Sequence, residues 1–225
     1  MTELLSKNSK MSKSGLGSAI VYNFGIPAYE SKATGIRTCP MAGTCAKGCY
    51  ANQGSYVWSN VAQAYEWRLQ QTLRVEFVED MIEAIAVKQR TAKRNGKQLY
   101  IRIHDSGDFY NLEYVAKWFL IMNALPEVKF YAYTKMVRMF KGIQLGGRWT
   151  IPANFTLIFS FGGLQDSWID IHTDRHSAIF ESESALNEAG YSNAMDDDLI
   201  ATGANHRIGL VYHGAKVKQF TAKGA

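Results

Sequence analysis

The chain has 225 residues, 47% of them hydrophobic, which is enough for one sizeable core and hardly enough for two. Its formal net charge of +5 is mildly basic, which is compatible with an anionic substrate and with nucleic acid and favours neither. With no apolar run of about eighteen residues and no signal-peptide pattern, the sequence excludes a membrane-spanning helix and predicts a cytoplasmic protein. We expect residues 1–14 to form a flexible tail and residues 15–225 to form a single domain.

The predicted elements alternate along the chain. A strand-like run at 19–24 is followed by a loop rich in Gly, Thr and Ala, 32–54, which contains all three cysteines. Apolar residues then recur every fourth position over 60–94, predicting one very long helix or two helices that meet at a bend. Further strands are predicted at 99–103, 129–133, 156–160, 177–180 and 207–212, and helical segments at 112–123, 136–141 and 184–189.

Six strands with helical or loop connections predict an α/β fold with a parallel sheet. An incomplete (β/α)6 barrel and an open doubly wound sheet are the two candidate architectures. Polar, glycine-containing stretches follow the strands, and ligands gather at the carboxyl ends of parallel strands in both architectures. The stretches that predict one functional rim are 104–108, 134–135, 160–163, 181–182 and 213–214.

The three cysteines, Cys39, Cys45 and Cys49, form a C-x5-C-x3-C arrangement. In a reducing compartment they are not expected to form disulfides, whereas thiolates are the normal ligands of iron–sulfur clusters. The spacing therefore predicts a [4Fe-4S] cluster with one open iron, or a three-iron cluster. Two alternatives are a zinc site completed by His104 or His213, and three thiols that hold no metal.

The cysteine loop follows the first strand and precedes the first long helix, which resembles radical S-adenosylmethionine (SAM) enzymes. The resemblance implies that the open iron binds SAM, although the spacing differs from the usual C-x3-C-x2-C. It also implies that Ser106, Gly107 and Asp108 meet the SAM amino group. Ser160 would contact the ribose. The local alternatives are a helix cap at Asp108 and a plain turn at Ser160.

Other polar residues are weaker candidates. Lys135 ends the third strand, where it would hold a carboxylate or phosphate or simply be solvated. His172 and His176, with Asp170 and Asp174, would form a second metal site if the segment were helical. The acidic run 196–198 is interpreted as a helix N-terminus.

Several blocks of sequence resemble the bacteriophage gene-product-eighty-eight family. They are 38–45 with 48–51, 102–110, 130–135 and 211–214. The resemblance implies a viral protein that acts in the cytoplasm of an infected bacterium, and it supplies no established activity.

Three functional hypotheses follow from these observations. The first is a radical-SAM-like enzyme that acts on an unknown substrate and needs an electron donor, with its catalytic residues unassigned. The second is a non-catalytic iron–sulfur protein whose cluster serves redox sensing, electron transfer or structure. The third is a nucleic-acid-binding phage factor with a structural cluster, favoured by the basic charge and the many aromatic residues.

Overall fold

The computed structural model describes residues 2–15, 17–146 and 149–212. Seven strands in this part of the chain form one sheet in the order β1-β2-β3-β4-β5-β7-β6, and every neighbouring pair is parallel. The sheet curls into a half-barrel. The strands are β1 (Ala19–Phe24), β2 (Gln98–Ile103), β3 (Lys129–Thr134), β4 (Phe155–Ser160), β5 (His176–Phe180), β6 (Ser192–Asn193) and β7 (Arg207–Val211).

This architecture confirms the expected α/β class and the barrel-like parallel sheet. The six predicted strands lie within one residue of the observed bounds. The additional strand, β6, is two polar residues long, so it has no period that a sequence pattern can reveal. A specific likeness to radical SAM enzymes is not supported.

The helices pack mainly on the convex face of the sheet. The long apolar repeat forms two helices, and the bend between them leaves Val75 87% exposed. The α-helices are α1 (Ser9–Lys13), α2 (Cys45–Gly48), α3 (Ser59–Leu73), α4 (Phe77–Arg94), α5 (Leu112–Ala124), α6 (Val137–Gln144) and α7 (Glu183–Glu188).

Successive residues of a strand face opposite sides of the sheet, and this alternation separates two cores. On the convex face, Ile101 and Ile103 of β2 pack in the larger core beneath the helices. On the concave face, Tyr131 of β3 and Ile158 of β4 belong to a second, smaller core. Polar side chains of the intervening positions therefore face the inside of the half-barrel.

The first residues of the chain pack against this sheet. Leu5 and Met11 are buried, and Met11 lies in the concave core. The Asn8 side chain caps α1 by accepting a hydrogen bond from the Met11 amide. The division into a flexible tail, 1–14, and one domain, 15–225, stays a prediction.

In the described part of the chain, none of the helices combines the length and the apolar character that a membrane crossing requires.

Candidate functional site

The cysteine loop is docked on the loop that follows β4. The amides of Gly43 and Cys45 both donate to the Gly162 carbonyl at 3.1 Å, and Ala42 forms a β-bridge with Gly163. Such close approach of two backbones requires glycine, because a Cβ on Gly43 would lie 2.9 Å from the Gly163 carbonyl carbon. The loop therefore lies at the carboxyl ends of the strands, where the sequence places it.

The three thiols lie close enough to influence one another's ionisation. Burial, with a further contribution from nearby Asp108, raises the pKa of Cys39 to about 12. Burial also raises the pKa of Cys45 and Cys49, although the Lys135 ammonium opposes the shift at both. All three cysteines are partly exposed and unpaired by disulfides. Each thiol is therefore protonated at neutral pH, and it would have to lose its proton to attack an electrophile or bind a metal ion.

Asp108 joins the loop after β2 to the end of β3. Its carboxylate accepts hydrogen bonds from the Thr134 hydroxyl at 2.6 Å, the Lys135 amide at 2.8 Å and the Phe109 amide at 2.7 Å. Burial nevertheless raises the pKa of Asp108 above its ordinary value. The local alternative of a helix cap at Asp108 is wrong, because the cap of α5 is Asn111. Its assignment as a cofactor contact stays a prediction.

Gly107 and Ser106 form the tight turn after β2. Gly107 has a φ of +82°, and a Cβ there would lie 2.3 Å from Cγ1 of Ile26. The Ser106 carbonyl accepts from the Ile26 amide at 3.0 Å. Ser106 is itself buried. The turn is therefore held by backbone contacts.

Lys135 and Ser160 meet where β3 and β4 end. The Lys135 ammonium donates to the Ser160 hydroxyl at 2.9 Å and to the Phe161 carbonyl at 3.1 Å. Cys45 lies beside this ammonium. We call this region the carboxyl edge, defined by Cys39, Cys45, Cys49, Ser106, Lys135 and Ser160.

His104, one candidate for the fourth zinc ligand, is buried in the protein interior. Its Nε2 lies 2.9 Å from the Tyr114 hydroxyl, and its ring packs edge-on against Phe109. Burial, with a further contribution from Arg102, lowers the pKa of His104 to about 3, so the ring is neutral. The other candidate, His213, lies outside the described residues.

The proposed second metal site is also wrong. His172 is exposed in a turn, whereas His176 begins β5 and its Nε2 lies 2.8 Å from the Tyr191 hydroxyl. The Asp170 carboxylate accepts from the His172 amide, and Asp174 pairs with Lys141 at 2.7 Å. The segment is not helical, so the two histidines share no face.

The concave face contains a buried ionic cluster that the sequence analysis missed. Asp198 accepts hydrogen bonds from Arg102 and from the Tyr131 hydroxyl at 2.5 Å, and it pairs with Lys10 at 2.8 Å. Burial alone would raise the pKa of Asp198, but the two cations hold it below the ordinary value. A signal was present, since Arg102 is the one charged residue of β2 and lies at an inward position of that strand. In the acidic run, Asp197 does cap a short helical turn by accepting from the Leu199 amide.

A separate cavity of about 630 Å³ lies away from the carboxyl edge. It borders the start of β4 and the residues that precede β5, and Trp149, Thr156 and Thr173 are among its lining residues. It shares no residue with the carboxyl edge, so it is a rival position for a ligand.

Comparison with known proteins gives the family of the chain. The family model described as Gene product 88 matches residues 2–224, and the chain belongs to this family. Among curated proteins, the Gene 88 protein of Mycobacterium phage L5 is 32% identical over 124 residues, covering 52% of this chain and 48% of the relative. The Gene 88 protein of Mycobacterium phage D29 is 34% identical over the same lengths. The chain thus spans about half the length of the curated relatives it matches. No solved structure matches.

These relatives confirm the bacteriophage family and correct the predicted function. Within residues 2–15, 17–146 and 149–212, no group of three or more His, Cys, Asp or Glu side chains is arranged to hold a metal ion. The chain has just three cysteines, and the matching family carries no iron–sulfur or radical SAM description. The prediction of an iron–sulfur protein, catalytic or not, is therefore wrong. No finding tests the individual residue assignments at the carboxyl edge or the binding of SAM, which stay predictions.

Proposed function

We propose that this member of the Gene product 88 family binds a small polar ligand at the carboxyl edge of its parallel sheet. The observation that carries the proposal is the convergence of four loops at this edge. The cysteine loop is bonded to the loop after β4, and Asp108 and Lys135 join the loops after β2, β3 and β4. Ligands of parallel α/β sheets bind at this position because the strand ends present loops and unpaired polar groups together.

The chemistry of the edge favours a ligand that offers hydrogen-bonding atoms beside a polarizable surface. The Ser106 hydroxyl supplies a donor and an acceptor, and the Lys135 ammonium with the Ser160 hydroxyl supplies a positively charged side. Neutral thiols at Cys45 and Cys49 add a soft, weakly polar wall. Ser106, Ser160 and the cysteines are therefore the proposed ligand contacts, and action inside an infected bacterium is part of the same proposal.

The test is a thermal-shift screen of the purified chain with a defined panel of nucleotides, amino acids, sugar phosphates, SAM and Zn²⁺. A ligand present at one hundred times its Kd stabilises a protein by about 2.7 kcal/mol. For a chain of this size that corresponds to a rise in Tm of about 5–11 °C. SAM and Zn²⁺ in the panel also test the predicted cofactor and the predicted role of the cysteines as metal ligands.

Matched variants locate the binding position. Ser106→Ala and Ser160→Ala each remove one hydroxyl at the edge, and we expect each to weaken a stabilising compound by up to about tenfold. Thr173→Ala removes a hydroxyl at the rival cavity, and Ser184→Ala removes one from an exposed helix. Neither control is expected to change the shift. Loss of the shift in Thr173→Ala alone would move the ligand to the cavity and refute the proposal.

A further inference from the structure

Two hydrogen-bond donors on the concave face have no acceptor in the described part of the chain. They are Nε of Arg102, on β2, and the hydroxyl of Tyr133, on β3; both atoms are fully buried. The strands are neighbours, and the Arg102 guanidinium lies 5.1 Å from the centre of the Tyr133 ring. A buried donor without an acceptor costs about 1–3 kcal/mol, so two adjacent ones call for an explanation.

The nearby carboxylate of Asp198 cannot serve these donors. Its Oδ1 already receives Lys10 at 2.8 Å and Nη1 of Arg102 at 3.1 Å. Its Oδ2 receives the same Nη1 at 3.0 Å and the Tyr131 hydroxyl at 2.5 Å. Two carboxylate oxygens offer about four acceptor positions, and all four are used. An acceptor for Arg102 and Tyr133 must therefore come from outside this cluster.

The two donors suit an anionic oxygen. An arginine N–H beside a tyrosine O–H is a charge-assisted pair of donors, the arrangement that proteins use for carboxylate and phosphate groups. Burial and nearby Asp198 raise the pKa of Tyr133, so its hydroxyl stays protonated and donates. The Arg102 side chain keeps 12% of its surface exposed on the concave face, whereas Nε and the Tyr133 hydroxyl are themselves buried, so an anion reaches them only from beneath the surface.

We propose that Arg102 Nε and the Tyr133 hydroxyl bind an oxyanion, the carboxylate or phosphate group of the ligand that enters at the carboxyl edge. The ligand class is thereby narrowed to small molecules with an anionic group. This inference rests on the proposed function, since it places one end of that ligand on the concave face below the edge. Tyr50 lies between the two regions, because it follows Cys49 and is close enough to Arg102 and Tyr133 to interact with them electrostatically.

The experiment compares two tyrosine-to-phenylalanine variants on neighbouring inward positions of one strand. Tyr133→Phe removes the unpaired hydroxyl, whereas Tyr131→Phe removes a hydroxyl that Asp198 already accepts. The probes are inorganic phosphate and acetate, each titrated against the full chain at constant ionic strength with chloride as the reference salt. Calorimetry gives the Kd, and denaturant unfolding gives the stability without added anion.

We expect phosphate, acetate or both to bind the unaltered chain and the Tyr131→Phe variant. Binding to Tyr133→Phe should be at least about tenfold weaker, the loss of one hydrogen bond to a charged group. The two arms distinguish a phosphate from a carboxylate ligand. Without anion, Tyr133→Phe should be at least as stable as the unaltered chain, whereas Tyr131→Phe should be less stable.

Two results would overturn the inference. One is equal anion affinity in Tyr133→Phe and the unaltered chain, or no affinity in either. The other is a loss of stability in Tyr133→Phe as large as in Tyr131→Phe, which would mean that the Tyr133 hydroxyl is satisfied inside the protein or by bound water. A panel compound that binds at Ser106 and Ser160 while both anions fail would leave the proposed function standing and remove only this inference.

Discussion

The substitution Asp198→Asn should destabilise the fold strongly, because it removes the carboxylate that pairs with two buried or half-buried cations in its cluster. The Asp198 side chain is 1% exposed, and its partners Arg102 and Lys10 are 12% and 26% exposed. Asparagine keeps the size of the side chain but leaves both cations without their carboxylate. Breaking a buried ion pair in this way costs about 3–5 kcal/mol.

Urea unfolding followed by tryptophan fluorescence measures this loss, with thermal unfolding as a second readout. At about 2–4 °C per kcal/mol, the Tm should fall by about 6–20 °C. The matched control is Glu127→Gln, which breaks the exposed pair between Glu127 and Lys93. Exposed pairs contribute at most about 1 kcal/mol. A loss in Asp198→Asn no larger than that of the control would refute the reasoning.

The same pair of proteins gives a pH test. Because the folded-state pKa of Asp198 is depressed, its charge stabilises the protein above the unfolded carboxyl pKa of about 3.9. This stabilisation is lost as the pH falls through the folded-state pKa, since the unfolded chain binds the proton first. The stability difference between the unaltered chain and Asp198→Asn should therefore be full at pH 7 and shrink below about pH 4. A difference that stays constant to the acid limit of folding would contradict the assignment.

Three further substitutions test the carboxyl edge and its supports. Gly107→Ala should cost about 1–3 kcal/mol more than Gly54→Ala in urea unfolding, because both have positive φ but only Gly107 has no room for a Cβ; equal losses would contradict the packing. Thr134→Val should cost about 1–3 kcal/mol by removing a donor from buried Asp108, and a neutral result would show that the bond contributes nothing. The stability of the unaltered chain should fall as the pH drops from 6.5 to about 3, because His104 is protonated in the unfolded chain and not in the folded one. His104→Asn should reduce this slope by up to about 1.4 kcal/mol per pH unit. An unchanged slope would contradict a neutral His104.

The sheet and most of its elements could be predicted from the sequence because the signals are local. Alternating and apolar runs mark the strands, and the cysteine loop follows β1 as expected. The bend between α3 and α4 could only be stated as an alternative, since the apolar repeat continues through it. The short strand β6 forms because its backbone pairs with β7. A two-residue segment carries no sequence pattern that indicates such pairing.

The site was less predictable because its contacts are long-range. Arg102 and Asp198 are 96 positions apart, so neither residue alone indicates a buried pair. The sequence predicts Asp108 as a cofactor contact, with a local helix cap as the alternative, and neither indicates its bond to Thr134 at the end of the neighbouring strand β3. The cysteine spacing misled most, because spacing along the chain does not fix where sulfur atoms point or whether the thiols ionise. Here burial raises the pKa of all three thiols, and among the described residues no group of side chains is arranged to hold a metal ion.

A crystal structure of the chain with the most stabilising compound of the ligand panel tests the central claim most directly. We predict ligand density within hydrogen-bonding distance of the Ser106 hydroxyl or of the Lys135 and Ser160 pair, at the carboxyl edge. Density in the 630 Å³ cavity beside Trp149 would contradict the account. So would a complete panel without a single stabilising compound.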